Sequence, residues 1–208
     1  MVAHQRSILA REGWLWLIGL AICGILVGWY VDWLWASPVA VLCFLAFLLF
    51  RDPVRNIPPL PLAVVAPVDG QITQITRHTS NTLSGEWQRI SIKTNLLGAY
   101  TVRSPIEGTI HDVRDELKNT TQTDVPRGLW VRNEEQDDVV LLFPRYRLGL
   151  APKTFVRYGE RVGQGQRFAY LRLAACAEVY LPLTAGICVQ EGDRVQAGTS
   201  VLAELAPK

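Results

Sequence analysis

A mainly β domain (β-rich α+β), preceded by a transmembrane helical hairpin, is the fold class this sequence predicts. Three observations predict it. Residues 13–50 carry one formal charge, Asp32, among long apolar runs. A proline-rich stretch, IPPLPLAVVAP, follows and ends the helical region. Beyond it come short runs of branched and aromatic residues separated by glycines, with no long amphipathic helix.

The elements follow in order. Residues 1–12 read as a cytoplasmic N-terminal segment. The run from 13 to 35, GWLWLIGLAICGILVGWYVDWLW, is uncharged up to Val31. That leaves roughly 18 to 20 apolar residues, close to a bilayer core. A second run, PVAVLCFLAFLLF from 38 to 50, is only about 13 residues, short for a full crossing. Asp32 and the Ser37-Pro38 pair read as the turn between them. Trp14 and Trp16 at one end, with Trp29, Trp33 and Trp35 at the other, resemble two aromatic belts. Arg6 and Arg11 precede the hairpin and Arg51 and Arg55 follow it, all on one side. The positive-inside rule makes that side cytoplasmic. The expected location is therefore the cytoplasmic (inner) membrane, with the soluble domain facing the cytoplasm. Arg51 and Arg55 are expected at the headgroup layer.

Residues 51–66 read as a linker, and 67–208 as the β domain. Its strand-like runs are QITQI, QRISIKT, TIHDV, DVVLLF, FAYLRL, AEVYLP and SVLAEL. A weak repeat places a proline shortly before a glycine and a branched residue: APVDGQI (66–72), SPIEGTI (104–110) and LPLTAGI (181–187). The tail AGICVQEGDRVQAGTSVLAEL resembles the half-motif of biotinyl and lipoyl carrier domains, with EGD as a hairpin turn. Carriers need a lysine at the hairpin tip, and none of Lys93, Lys118, Lys153 and Lys208 lies in such a motif.

A net charge of +2 is too balanced to argue for nucleic acid. The four cysteines show no metal-ligand or disulfide spacing, so no metal is expected and a reduced setting is. EEQDD (134–138) reads as a solvated turn, and His78 and His111 as solvated strand or loop residues.

Six segments, in order, resemble the short-chain phosphatidylserine decarboxylases. They are AREGW, FRDPVRNIPP, APVDGQITQI, ISIKTNLLGAYTVRSPIEGTI, LRLAACAEVYLP and GDRVQAGTSVLA. The fourth matches the family's I-S-I-F-M-S-x-x-N-V-H-x-N-R-x-P-x-x-G-x-V. The resemblance covers most of the chain. It implies a β domain of that family's type with lipoyl/biotinyl-like halves. It also implies a proenzyme that cuts itself at a Gly-Ser pair, the serine becoming a pyruvoyl cofactor that serves as electron sink for decarboxylation. An aspartate and a histidine assist the serine.

Carried over by position, the aspartate is Asp69, which is present. The histidine falls on Tyr100, and the Gly-Ser pair on Ala174 and Ala175. Alanine has neither nucleophile nor leaving group. Tyrosine, with an ordinary pKa of about 10, is a poor base near neutrality. No cofactor is therefore expected unless the chain cuts itself elsewhere. Cys176, one residue on, is a thiol that could replace the serine only after a register slide that turns its side chain over. Ser200 loosely echoes the G-S-T motif of longer members. Arg103 matches the arginine before the proline and is a candidate for a lipid phosphate.

Three functions are open on these residues. One is a membrane-anchored pseudoenzyme of phospholipid metabolism, binding lipid or regulating an active paralogue. The second is an active decarboxylase making phosphatidylethanolamine from a divergent pyruvoyl precursor. The third is a structural or assembly protein. The partners expected are a membrane phospholipid and an active paralogue or other membrane protein.

Overall fold

The computed structural model describes residues 14–30, 33–50, 55–79, 86–95, 98–111, 128–146, 153–171 and 174–206. They fall into two compact units: Met1–Val54 with Leu97–Tyr100, and Arg55–Leu96 with Thr101–Lys208.

The first unit holds α1 (Trp14–Tyr30) and α2 (Trp33–Phe50). Pro38 does not break the chain as expected but lies inside α2. Its ring nitrogen cannot donate to the carbonyl four residues back, and the Ser37 hydroxyl donates to that Leu34 oxygen instead, at 2.8 Å. The helices meet at small residues, where a Cβ on Gly24 would stand 3.4 Å from Val39.

The expected transmembrane hairpin is not found. Among the described residues, no helix is long and apolar enough to cross a membrane. The 17 residues of α1 rise about 25 Å, short of a hydrocarbon core of about 30 Å. The apolar run of 13–35 is not one helix: α1 stops at Tyr30, and Trp33 already belongs to α2. The cytoplasmic-membrane placement rested on that hairpin and falls with it. Arg6, Arg11, Asp32 and Arg51, which set its orientation, lie outside the described residues.

Among its described residues the second unit has strands and no helix, so the mainly β part of the expectation holds. Its strands are β1 (Ala63–Val65), β2 (Gly70–Thr79), β3 (Glu86–Thr94), β4 (Thr101–Arg103), β5 (Gly108–His111), β6 (Gly128–Arg132), β7 (Asp138–Tyr146), β8 (Lys153–Thr154), β9 (Arg161–Val162), β10 (Arg167–Tyr170), β11 (Ala174–Pro182), β12 (Gly186–Ile187), β13 (Arg194–Val195) and β14 (Val201–Glu204). Among the described residues, each of the seven strand-like runs of the sequence falls wholly or in part on a strand.

An eight-stranded sheet has the order β13-β2-β3-β11-β7-β6-β5-β9, and two three-stranded sheets have the orders β1-β14-β12 and β4-β10-β8. Alternation puts Ala177, Val179 and Leu181 of β11, Val139 and Leu141 of β7, and Ile90 and Ile92 of β3 in the core, each 0% exposed. Each buried branched side chain stabilises by about 1.5–3 kcal/mol.

These strands form two copies of one seven-stranded arrangement. Exchanging β13 for β9, β2 for β5, β3 for β6 and β11 for β7 maps the large sheet onto itself and swaps the two small ones. Reciprocal backbone bonds tie the copies: Val65 N–H donates to Pro105 O and Arg103 N–H to Pro67 O, both at 2.9 Å. Further bonds recur one for one. Ile72 N–H donates to Asp193 O and Ile110 N–H to Glu160 O, again both at 2.9 Å. At the middle of the β11–β7 pair, Glu178 faces Leu142, Val179 faces Leu141 and Tyr180 faces Val140. The second copy, 101–170, is inserted between β3 and β11 of the first.

The first two sequence repeats open equivalent strands. A Cβ on Gly70 would lie 2.2 Å from Lys93 O, and one on Gly108 would lie 2.2 Å from Arg132 O. Only glycine admits that approach. The third repeat is different: Gly186 starts β12, with 3.9 Å to Glu204 O. The EGD turn is present, with Gly192 at φ 97°, but it does not close a hairpin. Its flanking strands pair elsewhere, β12 with β14 and β13 with β2.

Candidate active site

The candidate residues converge where β2 begins, β3 ends and β11 begins. These strands are successive neighbours, about 4.8 Å apart. Gly70 pairs with Thr94, and the next residue along β3, Lys93, pairs with Cys176.

Asp69 sits in the turn before β2, its side chain 12% exposed. Arg55 donates to its Oδ2 at 2.7 Å, and the Ala197 backbone N–H donates to its Oδ1 at 2.7 Å. Arg55 also reaches Gln196 Oε1 at 3.0 Å. Arg55 is therefore part of this site and not of a headgroup layer, with its side chain 14% exposed. The Asp69 backbone takes part as well, its carbonyl accepting from Asn95 N–H at 3.0 Å.

Ala175 occupies a β-bulge. On β7, Tyr146 pairs with Ala174 and the adjacent Arg145 pairs with Cys176. Two steps on β11 thus match one on β7, and Ala175 is the extra residue. Bulges recur beside active sites, where they re-aim the chain. The Thr94 hydroxyl donates to the carbonyl oxygen of Ala174 at 2.7 Å. That carbonyl precedes the residue in the serine position.

Cys176 lies two residues before Glu178 and four before Tyr180, in a strand whose pairing with β3 is regular from Cys176 to Pro182. It shares their face, while Ala177, Val179 and Leu181 fill the core. Its Sγ stands 3.8 Å from Ala177 O. Ser200 does structural work in a turn, its hydroxyl accepting from Gln196 N–H at 3.0 Å.

Two candidates are buried. Tyr100 is buried and belongs to the compact unit that holds the helices. Arg103 is 8% exposed, and its guanidinium donates to Gly165 O at 3.1 Å. A Cβ on Gly198 would come 2.8 Å from its Cδ. Arg103 is thus packed between two glycine turns of the interior.

The remaining sequence expectations resolve simply. His111 meets Tyr158 edge to face at 6.0 Å, and the His78 side chain lies outside the description. EEQDD joins β6 to β7 but is not wholly solvated, since Asp137 is 6% exposed. Tyr180 donates to Glu178 at 2.8 Å. Burial, then that carboxylate, push its hydroxyl pKa well above the ordinary value.

Sequence reasoning missed Thr94 and the role of Arg55. The signal for Thr94 was faint: a hydroxyl residue at the end of a strand, where the run being matched has methionine. The residues present do not fit a pyruvoyl group at 175, because Ala175 has no oxygen to attack with and none to eliminate.

Comparison with known proteins bears out the family resemblance. A phosphatidylserine decarboxylase proenzyme of Nitrosomonas eutropha is 35% identical over 212 residues, covering 97% of each chain. That of Nitrosomonas europaea is 33% identical with the same coverage, and that of Cupriavidus taiwanensis is 30% identical over 99% of each. No protein-family model matches the chain. Among solved structures, glucose permease IIA of Mycoplasma capricolum covers 68% of this chain at 14% identity with a TM-score of 0.45, a likeness too distant to argue from.

Proposed function

This chain belongs to the phosphatidylserine decarboxylase family, and on that premise we propose that it is a member that neither cuts itself nor decarboxylates. Its place is in phospholipid metabolism. It acts as one uncut chain that binds a serine-headgroup phospholipid or regulates an active paralogue. One observation carries the reading: Ala175 stands where self-cleavage needs a hydroxyl.

The rest of the site supports it. Asp69 remains, but the Arg55 guanidinium and the Ala197 N–H engage both its oxygens. Tyr100 replaces the partner histidine. Cys176 lies on the face opposite the core residues of β11, so using it would reverse the strand's alternation.

The test uses purified chain and vesicles of equal negative charge, with and without the serine headgroup. The reading predicts preferential retention on serine-headgroup vesicles and no carbon dioxide. Release of carbon dioxide sinks the inactive reading. Equal retention on both vesicles sinks the lipid-binding part and leaves regulation of a paralogue.

A further inference from the structure

We infer that Thr94, which stands where the family's run has methionine, is a hydroxyl donor that holds and polarises the carbonyl at the family's cleavage position, so that this chain presents a polarised carbonyl beside a position that has lost its nucleophile. The inference rests on the family reading, which fixes the 174–175 bond as the one concerned.

The geometry carries it. The Thr94 hydroxyl lies 2.7 Å from Ala174 O. A hydroxyl already bonded to the ground-state oxygen is placed to follow that oxygen as charge develops on it. The donor is held on a strand, since Gly70 pairs with Thr94 and glycine there lets the two backbones close up. The acceptor is held too. Ala174 N–H donates to Leu171 O at 3.2 Å, and the bulge at Ala175 lifts the following residue out of the ladder between β11 and β7. A carbonyl bonded to a hydroxyl, beside a residue freed from regular pairing, is open to attack from that residue's own side chain.

The step is defined in a variant that carries Ala175→Ser. The new hydroxyl oxygen bonds to the carbonyl carbon of residue 174, and the 174–175 C–N bond breaks. The hydroxyl proton passes to the departing nitrogen. An ester joins the two parts, with a free amine at 175 and no other reactant consumed. Through the tetrahedral stage the negative charge sits on the oxygen that Thr94 holds.

The experiment compares three full-length chains that all carry Tyr100→His and Ala175→Ser: one with Thr94, one with Thr94→Val and one with Thr94→Ser. Each is treated with hydroxylamine, which cuts the ester and releases residues 175–208, and is read by intact mass. The expected result is release from the first, a loss of about 100-fold in rate for Thr94→Val, and recovery to within a few-fold for Thr94→Ser. An unchanged rate in Thr94→Val overturns the inference. So does a folded first chain that never forms the ester.

A second measurement needs no cleavage. In the otherwise native chain with a ¹³C-labelled Ala174 carbonyl, Thr94→Val moves the labelled amide band to higher frequency. A band that stays in place also overturns the inference. If the native chain is instead found cut after Ala175, the inactive reading fails while these Thr94 comparisons still stand.

Discussion

The second copy of the seven-stranded arrangement makes at 133–138 a connection that the first copy lacks at 94–176. In the second, Asn133 follows Arg132 at the end of β6 and closes a tight turn into β7. Its N–H donates to Asp137 O at 3.1 Å and its Oδ1 accepts from Asp137 N–H at 2.7 Å. In the first, Thr94 follows Lys93 at the end of β3 and ties down the start of β11 through Ala174 O. The local task is the same, fastening the head of the next strand. The difference is that β11 arrives from the far end of an inserted copy, so the first connection is not a turn. Its strand head is a bulge held by a side chain. The lesson is that a duplicated frame can serve as a plain turn in one half and present a held carbonyl in the other.

The comparison extends to the repeated motif itself. Asp69 in APVDG corresponds to Glu107 in SPIEG. Asp69 is in a nearly buried pair with Arg55. Glu107 is in an exposed one with Arg161 at 3.0 Å, its side chain 57% exposed. Position in the frame is shared, and burial decides what the charge is worth.

Three pairs of substitutions sharpen this comparison. Gly70→Ala and Gly108→Ala place a Cβ 2.2 Å from a backbone oxygen. Each should cost about 4 kcal/mol or prevent folding. Chemical denaturation should give the two similar losses, and one tolerated change beside one ruinous one would break the equivalence of the copies. Next, Asp69→Ala leaves a nearly buried guanidinium without its carboxylate and the Ala197 N–H without its acceptor, and should cost about 3 kcal/mol. Glu107→Ala should cost under about 0.5 kcal/mol. Equal midpoint shifts would remove the contrast. Last, Gly159→Ala and Gly192→Ala impose φ of 77° and 97° on a side chain, with open space around it. Each should cost about 1.5 kcal/mol, and the same in both copies.

Much of this frame was legible in the sequence. The runs QITQI, DVVLLF and AEVYLP became strands because alternating branched residues specify one buried face. The duplication was only half read. APVDG and SPIEG stood out, but GERVGQG (159–165) also repeats GDRVQAG (192–198), and that second match would have declared the whole frame. The hairpin misled for a physical reason: a hydropathy window counts apolar residues but does not register where a helix stops, and α1 ends at Tyr30. Of the site, Asp69 and Ala175 were visible through their motifs. The Arg55–Asp69 and Thr94–Ala174 contacts were not, because folding brings together residues that no local pattern links.

The central claim is that the native chain stays whole at 174–176. Its most direct test is the intact denaturing mass of the purified protein, before and after treatment with an amine and cyanoborohydride. The account predicts one species at 23.3 kDa that takes up no amine. Two fragments, the smaller one amine-modified at its N-terminus, would show that a carbonyl cofactor forms at or beside Ala175 and would contradict it.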